Sequence, residues 1–176
     1  MFRYEIATDS LIILPLKAKF GDEEDLFRLN SIVDIIEDAS DNNILWCAAN
    51  NGLLKLDRTT LKYERLLSPA KGTTLMTVTS LYMDEPDRLW MGAFGGGVIE
   101  VDVPTKKWTY HTYDKPDMSD YDGMGYRDVV ESITRKSPTE FWIQTKNRGP
   151  GIFHTASKEF YFFVPDNSNP AVAAVD

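Results

Sequence analysis

The chain has 176 residues, 43% hydrophobic and 26% charged, the size and balance of about one soluble globular domain with a core of its own. A net charge of −8 and a pI near 4.8 argue against a nucleic-acid or anionic-membrane partner, since each calls for clustered Lys and Arg. A single cysteine, Cys47, excludes an internal disulfide framework, and no apolar run reaches the ~18–20 residues of a membrane-spanning helix.

In chain order, Phe2-Arg-Tyr4 and Leu11-Ile-Ile-Leu14 are two short β-prone runs. Residues 17–31 read as a linker in which Glu23–Leu29 could form one helical turn. A pattern then begins that recurs three times. Its first copy runs from Ile32 and Ile35 through the turn Asp41-Asn-Asn43 to Leu45-Trp-Cys-Ala48. After Gly52 it continues as Leu53-Leu-Lys-Leu-Asp57 and Tyr63-Glu-Arg-Leu-Leu67. The second copy has Val78 and Leu81, the turn Glu85-Pro-Asp87, and Leu89-Trp-Met-Gly-Ala93. Gly95-Gly-Gly97, Val98-Ile-Glu-Val-Asp102 and Trp108–Tyr113 complete it. The third has Val130 and Ile133, then Phe141-Trp-Ile-Gln144, a turn ending at Gly151, Ile152-Phe-His154 and Phe160–Val164.

Anchored on Trp46, Trp90 and Trp142, four short strands fall in each ~40–50 residues, the period of a propeller blade. No window sustains apolar residues at helical spacing. The predicted fold is an all-β propeller of about three four-stranded antiparallel blades plus a half blade, an incomplete ring. In this register residues 1–16 are the third and fourth strands of a half blade. Residues 32–68, 78–113 and 129–165 are the three blades, and 171–176 start a further first strand, with Val172 and Val175 matching Ile32 and Ile35. The chain then starts and stops in mid-unit.

These copies resemble the two-component regulator propeller repeat. Its first-strand apolar pair, turn Asp, Leu-Trp-Ile-Gly-Thr, Gly-Gly-Leu and closing apolar-Asp are met by Val78/Leu81, Asp84, Leu89–Ala93, Gly96-Gly97-Val98 and Asp102. The first copy supplies Ile32, Ile35, Asp38, Leu45–Ala48, Gly52 and Asp57. The third departs: Lys136 replaces the turn Asp, Gln144 the Gly, and Ala156 the closing Asp. The resemblance implies an extracytoplasmic sensor segment, periplasmic or extracellular, of a hybrid two-component sensor histidine kinase of Bacteroidetes-like bacteria, with glycan fragments as typical signals. A kinase module would lie elsewhere in a longer relative, and no signal peptide is visible in Met1–Ile6.

The chemistry-bearing residues favour structural readings. The three Trp residues are expected to fill the space between blades, with a sugar-stacking ladder as the alternative. Gly95–Gly97 lacks the Lys-Ser/Thr and helix of a phosphate loop and reads as a tight turn. Asp114, Asp117, Asp120 and Asp122, like the run Asp38–Asn43 with its Asp38 and Asp41, do not match a calcium loop, and the carboxylates read as solvated loop groups. His111 and His154 lack a second ligand at useful spacing, and Cys47 reads as a small buried hydrophobe. No cofactor, metal or catalytic residue is assigned.

In an up-and-down blade, the second-to-third-strand turns and the blade-to-blade linkers share one face. It would gather Asn50, Asn51, Phe94, Tyr121, Tyr126, Lys146, Asn147 and Arg148, a set suited to a sugar or other small polar ligand. The predicted function is non-catalytic ligand sensing. The alternatives are a protein-interaction scaffold and, further off, a propeller lyase or glycosidase. Because three and a half blades leave apolar faces open, either the chain is a segment of a longer propeller or two copies associate to close a ring of seven. Self-association is the expectation retained.

Overall fold

The computed structural model describes residues 2–5, 7, 8, 10–13, 31–49, 52–67, 77–95, 97–113 and 128–163, and among them every regular element is a β-strand. Most of the expected linker at 17–31, its one possible helical turn, the four Asp of 114–122 and the strand start at 171–176 lie outside the described residues. β1 (Phe2–Glu5) and β2 (Ser10–Ile13) pair as an antiparallel ribbon. Three four-stranded antiparallel sheets follow, each pairing its strands in sequence order. The first holds β3 (Ile32–Glu37), β4 (Ile44–Ala49), β5 (Gly52–Asp57) and β6 (Tyr63–Leu67). The second holds β7 (Val78–Glu85), β8 (Arg88–Ala93), β9 (Gly97–Asp102) and β10 (Lys107–Thr112), and the third β11 (Val130–Ser137), β12 (Glu140–Thr145), β13 (Gly149–His154) and β14 (Phe160–Phe162). These are propeller blades, and the fold is the all-β architecture expected from the repeat.

Alternating side chains send each second strand's residues to opposite blade faces, and both faces of blade two are buried. Leu89, Met91 and Ala93 join Trp46 and Leu53 of blade one in a single apolar cluster. Trp90 and Val98 join Val130, Ile133, Phe141 and Phe153 of blade three in another. Polar links reinforce both joints. The Leu81 amide donates to Asp34 Oδ2 across the first at 2.8 Å, and the Thr79 hydroxyl donates to the Val130 carbonyl across the second. Close approach at the second joint explains Gly92. A Cβ there would lie 2.5 Å from both the Val130 carbonyl oxygen and Ser80 Oγ.

The turns show why particular residues recur. Asp38 accepts from the Ser40 and Asp41 amides through Oδ1 and from Trp46 Nε1 through Oδ2 at 2.8 Å, tying the first turn to the interblade Trp. Asp57 and Asp102 each accept amide bonds from residues two or three further on, closing the third-to-fourth-strand turns. Gly95 sits at φ 103°, the conformation the tight-turn reading requires. Cys47 is fully buried, and burial pushes its thiol up to about 12, as befits an inert core residue.

Two expectations are corrected. Trp46 and Trp90 are fully buried, but Trp142 is 42% exposed. It occupies the same register position, facing away from blade two, where sheet three is not covered as sheets one and two are. The third copy's alignment also shifts by two residues. Trp46, Trp90 and Trp142 pair with Lys55, Glu100 and Ile152, so Gly149, not Gly151, corresponds to Gly52 and Gly97. His154, not Ala156, then takes the closing position of Asp57 and Asp102. Gly149-Pro-Gly151 has the composition of a turn, yet it is strand, because Pro is tolerated near a strand's start.

Candidate functional site

Blade pairing carries the second-to-third-strand turns to one end of the sheets, together with the points where each blade begins. Of the eight predicted residues, Asn50, Asn51, Tyr121 and Tyr126 lie outside the described residues. The structure brings the other four, Phe94, Lys146, Asn147 and Arg148, around the start of blade three. Phe94 belongs to the turn of blade two and bridges to Val129, with its ring 49% exposed. Lys146, Asn147 and Arg148 form the turn of blade three, all exposed.

The organiser of this cluster is Asp128, which the sequence reading did not single out. It is 3% exposed and joins four segments. Its Oδ1 accepts from the Val129 amide at 2.8 Å and the Asn147 amide at 2.9 Å, and its Oδ2 from the Tyr113 hydroxyl at 2.9 Å. Its backbone carbonyl accepts from the Gly95 amide at 2.9 Å, and Lys146 donates its amide to the Val129 carbonyl at 3.0 Å. Burial alone would push the Asp128 carboxyl up. Donation from Asn147, Val129 and Tyr113, with a smaller contribution from Thr145, outweighs it and holds the group below the usual carboxylate range.

Arg148 places Nε 3.9 Å from Asp128 Oδ2 and its guanidinium carbon 5.0 Å from the centre of the Tyr113 ring and 5.6 Å from that of Phe162. The aromatic support continues inward, with Tyr113 edge-on to Phe162 at 4.6 Å and to Phe160 at 5.0 Å. Arg148 and Asp128 are therefore part of the scaffold. The Phe94 ring, the Lys146 ammonium and the Asn147 amide are what the turns present to solvent. The sequence held only a partial signal for Asp128. It stands two residues before the first-strand residue Val130, as Asn30 stands before Ile32, and both are short hydrogen-bonding side chains suited to a strand entry. The second copy breaks the pattern with Met76 before Val78, so the repeat does not mark the position.

The opposite end of blade two holds a depression of about 310 Å³ lined by Glu85, Asp87, Arg88, Glu100, Asp102, Lys107 and Thr109. Four acidic and two basic side chains line it, and Glu100 is compensated from several sides. Glu100 lies 3.8 Å from Arg88 Nε, 3.2 Å from His111 Nε2 and 2.8 Å from Lys158 Nζ. His111 belongs to β10 and His154 ends β13, where it faces Glu140 at 3.3 Å. Among the described residues no group of three or more His, Cys, Asp or Glu is arranged to hold a metal ion.

No protein-family model and no curated protein sequence matches the chain. Solved structures do. The extracellular domain of the hybrid two component system BT4673 from B. thetaiotaomicron is similar at a TM-score of 0.69 and 15% identity, over 96% of this chain and 20% of that one. The corresponding domain of BT3049 from the same organism gives 0.65 and 15%, over 89% and 21%. The WD40 repeats of RRP9 give 0.54 and 14%, over 76% and 39%. The chain spans about a fifth of the length of the two sensor domains. At such identities what is shared is architecture, and this chain has the β-propeller fold that those domains also have.

Proposed function

We propose that the chain is a non-catalytic ligand-sensing segment of a two-component sensor propeller, acting on the periplasmic or extracellular side, and that its turn face recognises a carbohydrate or other small polar ligand. The observation carrying this reading is the cluster at the start of blade three. The buried Asp128 carboxylate ties the start of blade three to Tyr113 and Asn147, its backbone carbonyl adds Gly95, and an exposed aromatic plane, an amide and an ammonium stand on that rigid base. A flat ring stacks on the apolar face of a sugar, while the amide and ammonium address its hydroxyls. Pre-organisation by Asp128 reduces the ordering cost of binding. The likeness to sensor extracellular domains supports the setting, and the repeat resemblance supports the ligand class.

The test is calorimetric titration of the chain with neutral gluco-, fructo- and manno-oligosaccharides, repeated with Phe94→Ala, Lys146→Ala and Asn147→Ala. At least one sugar class is expected to bind, and each variant to lose about tenfold in affinity, roughly 1.4 kcal/mol, with unchanged thermal unfolding. Binding unaffected by all three variants, or absent throughout, would remove the reading. Turnover of a bound sugar would favour an enzyme instead.

A further inference from the structure

The two interblade joints share their apolar parts, the second-strand Trp of one blade against the first-strand pair of the next, but differ in how their polar atoms are matched. At the joint of blades one and two, Trp46 Nε1 donates to Asp38 Oδ2 and the Leu81 amide to Asp34 Oδ2, each at 2.8 Å. At the joint of blades two and three, Trp90 is equally buried, but its Nε1 has no hydrogen-bond partner. Ser80 Oγ has none either, and it crowds Gly92 together with the Val130 carbonyl of blade three. Among the described residues these two are the buried side-chain polar atoms that lack a partner, and both lie at this one joint.

A buried donor without an acceptor forfeits the hydrogen bonds that water gave it in the unfolded chain, so it destabilises the closed joint. Parting the blades lets water reach the Trp90 indole and the Ser80 hydroxyl, which offsets part of the cost of exposing the apolar cluster. Ties at both ends oppose this. At one end Lys158 Nζ of blade three meets Glu100 of blade two at 2.8 Å. At the other, the Gly95 amide donates to the Asp128 carbonyl and the Tyr113 hydroxyl to Asp128 Oδ2, each at 2.9 Å. The exposed groups of the turn face are divided by this same joint. Phe94 belongs to blade two, Lys146 and Asn147 to blade three, and Val129 lies between, bridged to Phe94 and accepting from the Lys146 amide.

We propose that the joint between blades two and three is the one at which the chain opens, and that a ligand on the turn face holds it shut. This rests on the turn face being a saccharide site. A sugar that touches Phe94 on one blade and Lys146 or Asn147 on the next loses one set of contacts when the blades part. It therefore binds the closed joint more tightly than the open one and shifts the population toward closure. The joint of blades one and two, whose indole is satisfied by Asp38, is the fixed one.

The experiment follows hydrogen exchange of the Trp90 and Trp46 indole N–H groups by NMR on the full chain. Both rings are fully buried, so neither group exchanges until water enters its joint. Without sugar, Trp90 is expected to exchange about tenfold faster than Trp46 or more. Ser80→Ala, which removes one orphaned hydroxyl, should slow Trp90 by about threefold or more and leave Trp46 unchanged. The tightest-binding of the gluco-, fructo- and manno-oligosaccharides, at about 100 times its Kd, should slow Trp90 by about a hundredfold. Trp90 exchanging no faster than Trp46, or at the same rate in Ser80→Ala as in the parent chain, would overturn the inference. So would a sugar that binds by calorimetry and leaves the Trp90 rate as it was, a result that spares the saccharide reading. No binding by any of the sugars would remove that reading and the clamp together, whatever the sugar-free rates.

Discussion

Trp90 and Trp142 stand at the same register position in adjacent blades, yet one is fully buried and the other is 42% exposed. Trp90 is enclosed by Phe141 and Phe153 of the following blade, at ring separations of 5.2 and 5.7 Å, with Lys158 5.1 Å above its ring. Among the described residues, the ring and cation neighbours of Trp142 come from its own blade, Phe163 at 5.7 Å and Lys136 at 5.5 Å. The difference does not arise from the residue or its strand. In a propeller, half of every blade's core belongs to its neighbour, so an identical sequence element is core or surface according to what packs on it.

The comparison can be broken most directly by Trp90→Ala. Loss of a fully enclosed indole is expected to cost about 3–5 kcal/mol, whereas Trp142→Ala, measured where the chain is monomeric, should cost under about 1 kcal/mol. Equal losses in denaturant unfolding would show that the two faces are not distinct in the way described.

Gly92 sharpens the same contrast. Gly92→Ala should destabilise by about 1–3 kcal/mol because the Cβ meets the Val130 carbonyl of the next blade. At the equivalent places blade one has a buried Ala48 and blade three an exposed Gln144. Gln144→Ala should therefore be within about 0.5 kcal/mol of neutral. A tolerated alanine at Gly92 would mean that the blades are not held at that spacing.

The smallest expected effect concerns Asp128, the polar counterpart of the apolar joint. Its folded-state pKa lies below the ordinary 3.8. It therefore contributes stability that is fully present above the unfolded value and is lost as the pH falls through the folded one. Asp128→Asn should cost about 1–2 kcal/mol at pH 7, and the gap to the parent chain should narrow progressively below about pH 4. A gap independent of pH would show that the carboxylate's charge is not what holds Tyr113 and Asn147 to the start of blade three.

Much of the architecture was legible because the signals were local. β-prone runs separated by Asp-Asn-Asn, Glu-Pro-Asp and glycine turns place strands without reference to anything distant, and Gly95 adopts the positive φ its turn demands. The third copy's register was misread because Gly149-Pro-Gly151 has turn chemistry, while ladder pairing with Gln144 and Ile143 made it strand. The candidate site was only partly legible. Topology put Phe94 and the 146–148 turn on one face. Asp128 is inconspicuous until its partners, 15 and 19 residues away, converge on it.

The sequence by itself determined the repeat, the strand order within each blade and the turn residues, because these rest on short-range backbone preferences and on side-chain alternation. Only the tertiary structure decided which tryptophans are core, which acid is buried, and which faces remain open. Those depend on the neighbour each blade meets, and a repeat written into the chain does not carry its neighbour with it.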